Sequence, residues 1–230
     1  MPVFTLPKKD QPQAPRDLAA LPIAIPAAAT GALLVVSMAA VAGIGLTWNS
    51  LSKDEQRIVG DTVKSSFGNM LEGIAKGGDL RKFPKQMADL QRVVMEAMAG
   101  NAEVPSLDDV LKAVDSLPVV GECQIKKPED LIGMCGLCTS QAFQQLRKMG
   151  IKSVTQEPVA NGAHYVVRIA TKQGEYILDC TLGQFGGVNE PDSPWAKANL
   201  LKGKGNDNVV LVKKETYLEL LKTHTRARNF

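Results

Sequence analysis

Between Leu18 and Ser52 the chain carries no charged residue, and the stretch from Ala27 to Leu46 is built almost wholly of apolar and small side chains. A run of that length meets the requirement of ~20 apolar residues for crossing a bilayer. Residues 21–48 are therefore expected to form a transmembrane segment that contacts lipid through 27–46, with Trp48 at an interfacial position. Two other fates fit the same residues. One is a secretory signal cut near Ala40-Val41-Ala42, although the polar leader at 1–20 is long and carries acids beside Lys8, Lys9 and Arg16. The other is a hydrophobic helical segment covered by protein.

Past Ser52 the spacing of apolar positions becomes helical. Ser52-Lys53-Asp54-Glu55 has the form of a capping box, and Val59, Val63, Phe67, Met70 and Ile74 follow on one stripe until Gly77-Gly78 interrupts it. A second helix is expected from Pro84, with Met87, Leu90, Val94 and Met98 on one side and Gly100-Asn101 as its stop. A third is expected from Ser106 to Leu117. Methionine-bearing stripes of this kind serve packing, so residues 49–120 read as a helical region without chemistry of their own.

After Pro118 the pattern shifts to short strands and turns. Ile151–Glu157, His164–Thr171, Glu175–Thr181 and Asn208–Lys214 are rich in valine, isoleucine and tyrosine. A helix leading from Cys138 to Gly150 precedes them, and Glu215–His224 closes the pattern as another. The fold class is thus α+β, with residues 121–230 as one domain of a helix set on an antiparallel sheet.

Charge adds little. The formal net charge of +3 is too small to argue for a nucleic-acid partner. The basic residues Lys202, Lys204, Lys213, Lys214, Lys222, Arg226 and Arg228 read mainly as a solvated face. The four cysteines, Cys123, Cys135, Cys138 and Cys180, are too few and too dispersed for a small disulfide-stapled domain. They leave metal, redox or nucleophile as their possible roles.

The nucleophile is the role the surroundings favour. Cys138 is expected in the first turn of a helix, where unpaired amides and the positive end of the helix dipole lower a thiol's pKa from about 8.5. His164 opens one strand and Asp179 lies on the next. With a hairpin loop of even length, both residues face the same side of the sheet, offset from direct opposition, and a diagonal reach joins them. A three-residue loop would separate them. Cys138, His164 and Asp179 then supply a nucleophile, a base and an orienting carboxylate, with no cofactor.

The cysteine spacing also admits other roles. Cys135-Gly136-Leu137-Cys138 fits a redox pair whose first cysteine attacks, although the residues before it lack the strand such a pair follows. Zinc held by Cys135 and Cys138 with Cys123 and Cys180 would make a structural site in a membrane-anchored interaction protein, but only one paired knuckle is present.

The order Cys138, His164, Asp179, with Cys-Gly-Leu-Cys leading into a helix, resembles the papain-like fold. The run Gly162-Ala163-His164-Tyr165-Val166-Val167 and the run Glu175-Tyr176-Ile177-Leu178-Asp179 are closest in character to the compact papain-fold domains of bacterial toxins and injected effectors. The resemblance spans about residues 121–230. It implies a secreted bacterial effector that attacks a carboxamide in a target protein of a recipient cell, most readily by deamidating glutamine. A protease or transglutaminase of the same fold is the alternative. It also implies an immunity protein or chaperone as a partner and a glutamine at the oxyanion hole. Gln124 lies further upstream than that pattern and Gln141 projects from the helix itself, which leaves the second oxyanion donor unassigned.

Overall fold

The computed structural model describes residues 27–75, 83–185, 192–198, 200–201 and 208–223. The leader at 1–20, the Gly77-Gly78 stop and the basic residues Lys202, Lys204, Arg226 and Arg228 lie outside the described residues, as does His224.

Three helices come first: α1 (Ala27–Gly43), α2 (Lys53–Ala75) and α3 (Phe83–Gly100). The capping box forms at the start of α2. Glu55 accepts from the Ser52 amide at 2.8 Å, and Ser52 Oγ accepts from the Glu55 amide at 3.3 Å. Val36, Ala40 and Val41 of α1 are buried against Val59 and Val63 of α2 and against Leu90, Val94 and Met98 of α3. The transmembrane expectation for residues 21–48 finds no spanning helix among the described residues. Helix α1 has 17 residues and stops where Gly45 turns the chain with φ of +77°, and no described helix is long and apolar enough to cross a membrane. Part of its apolar surface, at Val36, Ala40 and Val41, packs against α2 and α3, while Leu34, Val35 and Met38 stay exposed.

Two short helices, α4 (Leu107–Asp115) and α5 (Pro118–Ile125), lead to α6 (Cys135–Lys148). The sequence pattern shifts toward short strands and turns after Pro118, with the third helix ending before it. Pro118 at the first helical position instead starts a helix, and Val119, Val120 and Cys123 bury themselves on it. Four strands follow, β1 (Val154–Val159), β2 (His164–Thr171), β3 (Gly174–Asp179) and β4 (Val210–Lys213), with α7 (Pro194–Lys197) before β4 and α8 (Lys214–Thr223) after it. The sheet is antiparallel throughout, in the order β1-β2-β3-β4. Among the described residues the chain is therefore α+β, with eight helices and one four-stranded sheet.

Strand periodicity divides the sheet between two cores. Val154, Val167, Ile169, Tyr176, Leu178 and Leu211 face α4, α5 and α6. Val166, Ile177, Val210 and Val212 face Trp195 of α7 and Tyr217, Leu220 and Leu221 of α8. The helical region is tied to the sheet domain by a nearly dry ion pair: Arg147 near the end of α6 meets Glu55 at 2.5 Å, with side chains 8% and 12% exposed. The same carboxylate that caps α2 thus fixes α2 to α6.

Candidate active site

The register of β2 and β3 decides whether the site can exist. Thr171 pairs with Gly174, so the loop is the two residues Lys172 and Gln173. Continued along the strands, that register sets His164 opposite position 181 and leaves Asp179 two positions short of it, on the same face. The diagonal is bridged: His164 Nε2 lies 2.8 Å from Asp179 Oδ2. Both side chains are buried.

Asp179 is held from two further directions. Tyr217 of α8 donates its hydroxyl to Oδ2 at 2.8 Å, and the Thr181 amide donates to Oδ1 at 2.8 Å. Three donors around one buried carboxylate offset the cost of removing its charge from water. Phe185 stands edge-on to the imidazole, with centroids 4.8 Å apart, and walls off its other side.

His164 is delivered by a strained turn. Ala160, Asn161 and Gly162 have φ of 50°, 56° and 88°, three left-handed residues in succession, of which only the glycine takes that shape without penalty. They carry the chain from Val159 back onto β2 so that His164 opens the strand opposite Val159.

The thiol that reaches the imidazole is that of Cys135. It hydrogen-bonds His164, and the backbone amides of Tyr165 and Gly136 also favour its ionised form. The hydrogen bond from His164 is the largest influence on Cys135, and it lowers the pKa of the thiol against the opposing effect of burial. Cys135 is the first residue of α6, where unpaired helix amides reinforce the thiolate. Burial alone pulls His164 down, but the charge of Asp179, its hydrogen bond and the Cys135 sulfur together raise the imidazole to about 9. Each group therefore favours the ionised form of the other, thiolate with imidazolium.

With Asp179 on Nε2, the nitrogen left for the sulfur is Nδ1. Gln184 also addresses that atom, its carboxamide nitrogen lying 2.5 Å away. When the ring is neutral, Nδ1 accepts from Gln184. When the ring is protonated, Nδ1–H donates, and Gln184 must present its oxygen instead or yield to the sulfur.

Cys138, the residue expected as nucleophile, stands elsewhere. Its side chain turns into the core between α5 and α6, and its sulfur lies 3.0 Å from that of Cys123. The hydrogen bond from Cys123 draws Cys138 down to about 7, while Cys123 itself is pushed far above the ordinary thiol range. A thiolate formed there would face apolar side chains, with Cys138 only 2% exposed. The reason is helical geometry. Cys138 shares the inward stripe of Ala142 and Leu146, four and eight residues on, whereas Cys135 stands at the open helix end. Cys180 is fully buried, and burial pushes its thiol up.

The zinc arrangement finds no support in this geometry. Cys135 is turned to His164 while Cys123 and Cys138 face each other, and among the described residues no group of three or more His, Cys, Asp and Glu side chains could hold a metal ion. The carboxamide oxygen of Gln124 accepts from the Val209 amide at 3.3 Å.

Sequence reasoning missed Cys135 as the thiol at the imidazole, and with it Tyr217, Thr181 and Gln184. The pattern Cys-x-x-Cys did contain the signal, since the first cysteine of such a pair is the one nearer the helix end. Comparison with protein-family profiles, curated proteins and solved structures finds no match for this chain.

Proposed function

We propose that the chain is a thiol-dependent amide hydrolase in which Cys135 is the nucleophile, His164 the acid and base, and Asp179 the residue that orients and charges the imidazole. The observation that carries this reading is the continuous line from thiol to imidazole to buried carboxylate, laid at the N-terminus of α6. The Cys135 thiolate attacks the carbon of a carboxamide, and the oxyanion that forms draws on the unpaired amides at the start of α6. Nδ1–H of the imidazolium protonates the departing nitrogen. Water, deprotonated by the now neutral imidazole, then cleaves the thioester and restores the thiol.

A glutamine side chain is the favoured substrate. The imidazole is wholly buried and Cys135 is only partly exposed, an access that suits a slender side-chain carboxamide better than an extended backbone. The resemblance of the Cys, His and Asp runs to papain-fold bacterial toxins supports the same reaction and a role as an effector acting on a protein of a recipient cell. By that likeness the finer architecture is papain-like, with α6 as the nucleophile helix.

The test is to incubate the full chain, or its Cys135→Ala variant, with a whole-cell protein extract and follow ammonia release together with peptide masses. The expected result is ammonia and glutamine peptides heavier by about 1 Da with the wild type, neither with Cys135→Ala, and both retained by Cys138→Ala. New peptide ends without ammonia would replace deamidation with proteolysis. Activity that survives Cys135→Ala would refute the assignment.

A further inference from the structure

The mechanism above uses one cysteine and leaves Cys123 and Cys138 without a task. They are held together by the packing of α5 on α6, with sulfurs 3.0 Å apart and residues 1% and 2% exposed. Core cysteines often act only as small apolar groups. This pair differs in that each sulfur is the other's partner, within about 1 Å of the ~2.05 Å separation of a bonded pair. Rotation of the two side chains is the motion that would close that gap.

We propose that Cys123 and Cys138 are a disulfide site, closed when the chain folds in an oxidising environment, and that the bond ties α5 to the first turn of α6 while leaving Cys135 free. The reaction balances with a disulfide oxidant such as oxidised glutathione. One protein thiolate attacks the oxidant and expels one glutathione thiolate. The second protein thiolate attacks the mixed disulfide and expels the other, so the protein loses two protons and two electrons and the oxidant becomes two thiols. Both sulfurs are screened in the folded chain, so closure is slow in the native protein and fast during refolding.

The site bears on the catalytic end of α6. The residues between the two cysteines include Gly133, with φ of +79°, and Cys135 itself. Closing a loop of 15 residues restricts the unfolded chain and is expected to raise Tm by roughly 5–10 °C. The nucleophile takes no part in the link, because its sulfur faces the imidazole rather than a second cysteine.

The experiment uses the full chain carrying Cys135→Ser, which removes the accessible thiol that would otherwise capture glutathione. It is reduced and unfolded, refolded in a mixture of oxidised and reduced glutathione, trapped with N-ethylmaleimide in denaturant and mapped by mass spectrometry. The expected result is a Cys123–Cys138 linked peptide, an intact mass lower by about 2 Da, one alkylated residue at Cys180, and a raised Tm that dithiothreitol reverses. The native protein held in the same buffer gives the same link more slowly, which keeps the test valid if refolding is inefficient. Alkylation of all three remaining cysteines after equilibration, or a link through Cys180, overturns the proposal. Cys135 is absent throughout, so the outcome stands apart from that of the catalytic test.

Discussion

Replacing Asp179 by asparagine keeps the shape of the side chain and removes its charge. In the wild type burial lowers the His164 pKa, and the contacts to Asp179 and Cys135 overcome it to reach about 9 against an ordinary value of 6.5. Without the carboxylate, burial governs, and the imidazole is expected to titrate at or below 6.5. At pH 7 the protonated fraction then falls from about 99% to below about 25%. The difference of at least 2.5 pH units corresponds to on the order of 3 kcal/mol of coupling. Cys135 loses its cationic partner and reverts toward an ordinary thiol. The sign of the stability effect follows from a folded-state pKa raised above the unfolded one. The contribution of His164 is full below about pH 6.5 and disappears as the pH rises through about 9. The gap between wild type and Asp179→Asn in urea unfolding is therefore widest in mild acid and narrows in mild alkali. The chain has two histidines, His164 and His224, so long-range nitrogen NMR on the full chain, with His224→Gln for assignment, reads the pKa directly. A His164 that still titrates near 9 in the variant, or a stability gap that is flat with pH, would refute the account of the ion pair.

Other substitutions separate packing from chemistry. Cys138→Ala removes a buried sulfur from the core and is expected to cost about 1–2 kcal/mol in urea unfolding while leaving the reactivity of Cys135 intact; loss of Cys135 reactivity would mean that Cys138 shares its role. Arg147→Met strands the Glu55 carboxylate, which is 12% exposed, with Lys152 at 3.3 Å as its remaining cation. The expected cost is about 3 kcal/mol, with limited proteolysis then cutting between α2 and the sheet domain; an unchanged urea midpoint would show that the ion pair does not couple them. Ala160→Gly relieves about 1–2 kcal/mol of left-handed strain and returns roughly 0.4–1 kcal/mol to the entropy of the unfolded chain. A net gain of about 0.5 kcal/mol should appear in urea unfolding, and a less stable variant would argue against strain in the turn before His164.

Much of the architecture was legible because it rests on local rules. The capping box of Ser52 and Glu55, the stop at Gly100 and the alternation of β2 and β3 are each written in a few adjacent residues. The hairpin parity of His164 and Asp179 depended on a single unknown, the loop length, and Thr171 pairing with Gly174 resolved it. What was not legible depended on partners remote in sequence. The apolar character of α1 is the same for a bilayer as for the faces of α2 and α3, so composition could not distinguish them. Pro118-Val119-Val120 looked unlike a helix until the core that takes up its β-branched side chains was in place. The two cysteines of the Cys-x-x-Cys motif differ by one turn, and which of them faces His164 depends on where α6 begins relative to β2. Tyr217 and Gln184 were beyond reach for the same reason, since no local pattern joins them to a histidine 53 and 20 residues away.

The central claim is that the Cys135 thiolate and the His164 imidazolium act as a pair. It is tested most directly by measuring the alkylation rate of every cysteine in the full chain as a function of pH, with and without His164→Ala. The pair predicts that Cys135 reacts first, with a midpoint well below the ~8.5 of a free thiol, and that the variant moves this midpoint back up while the three buried cysteines stay slow in both proteins. A fast Cys138, or a Cys135 whose profile ignores His164, would contradict it.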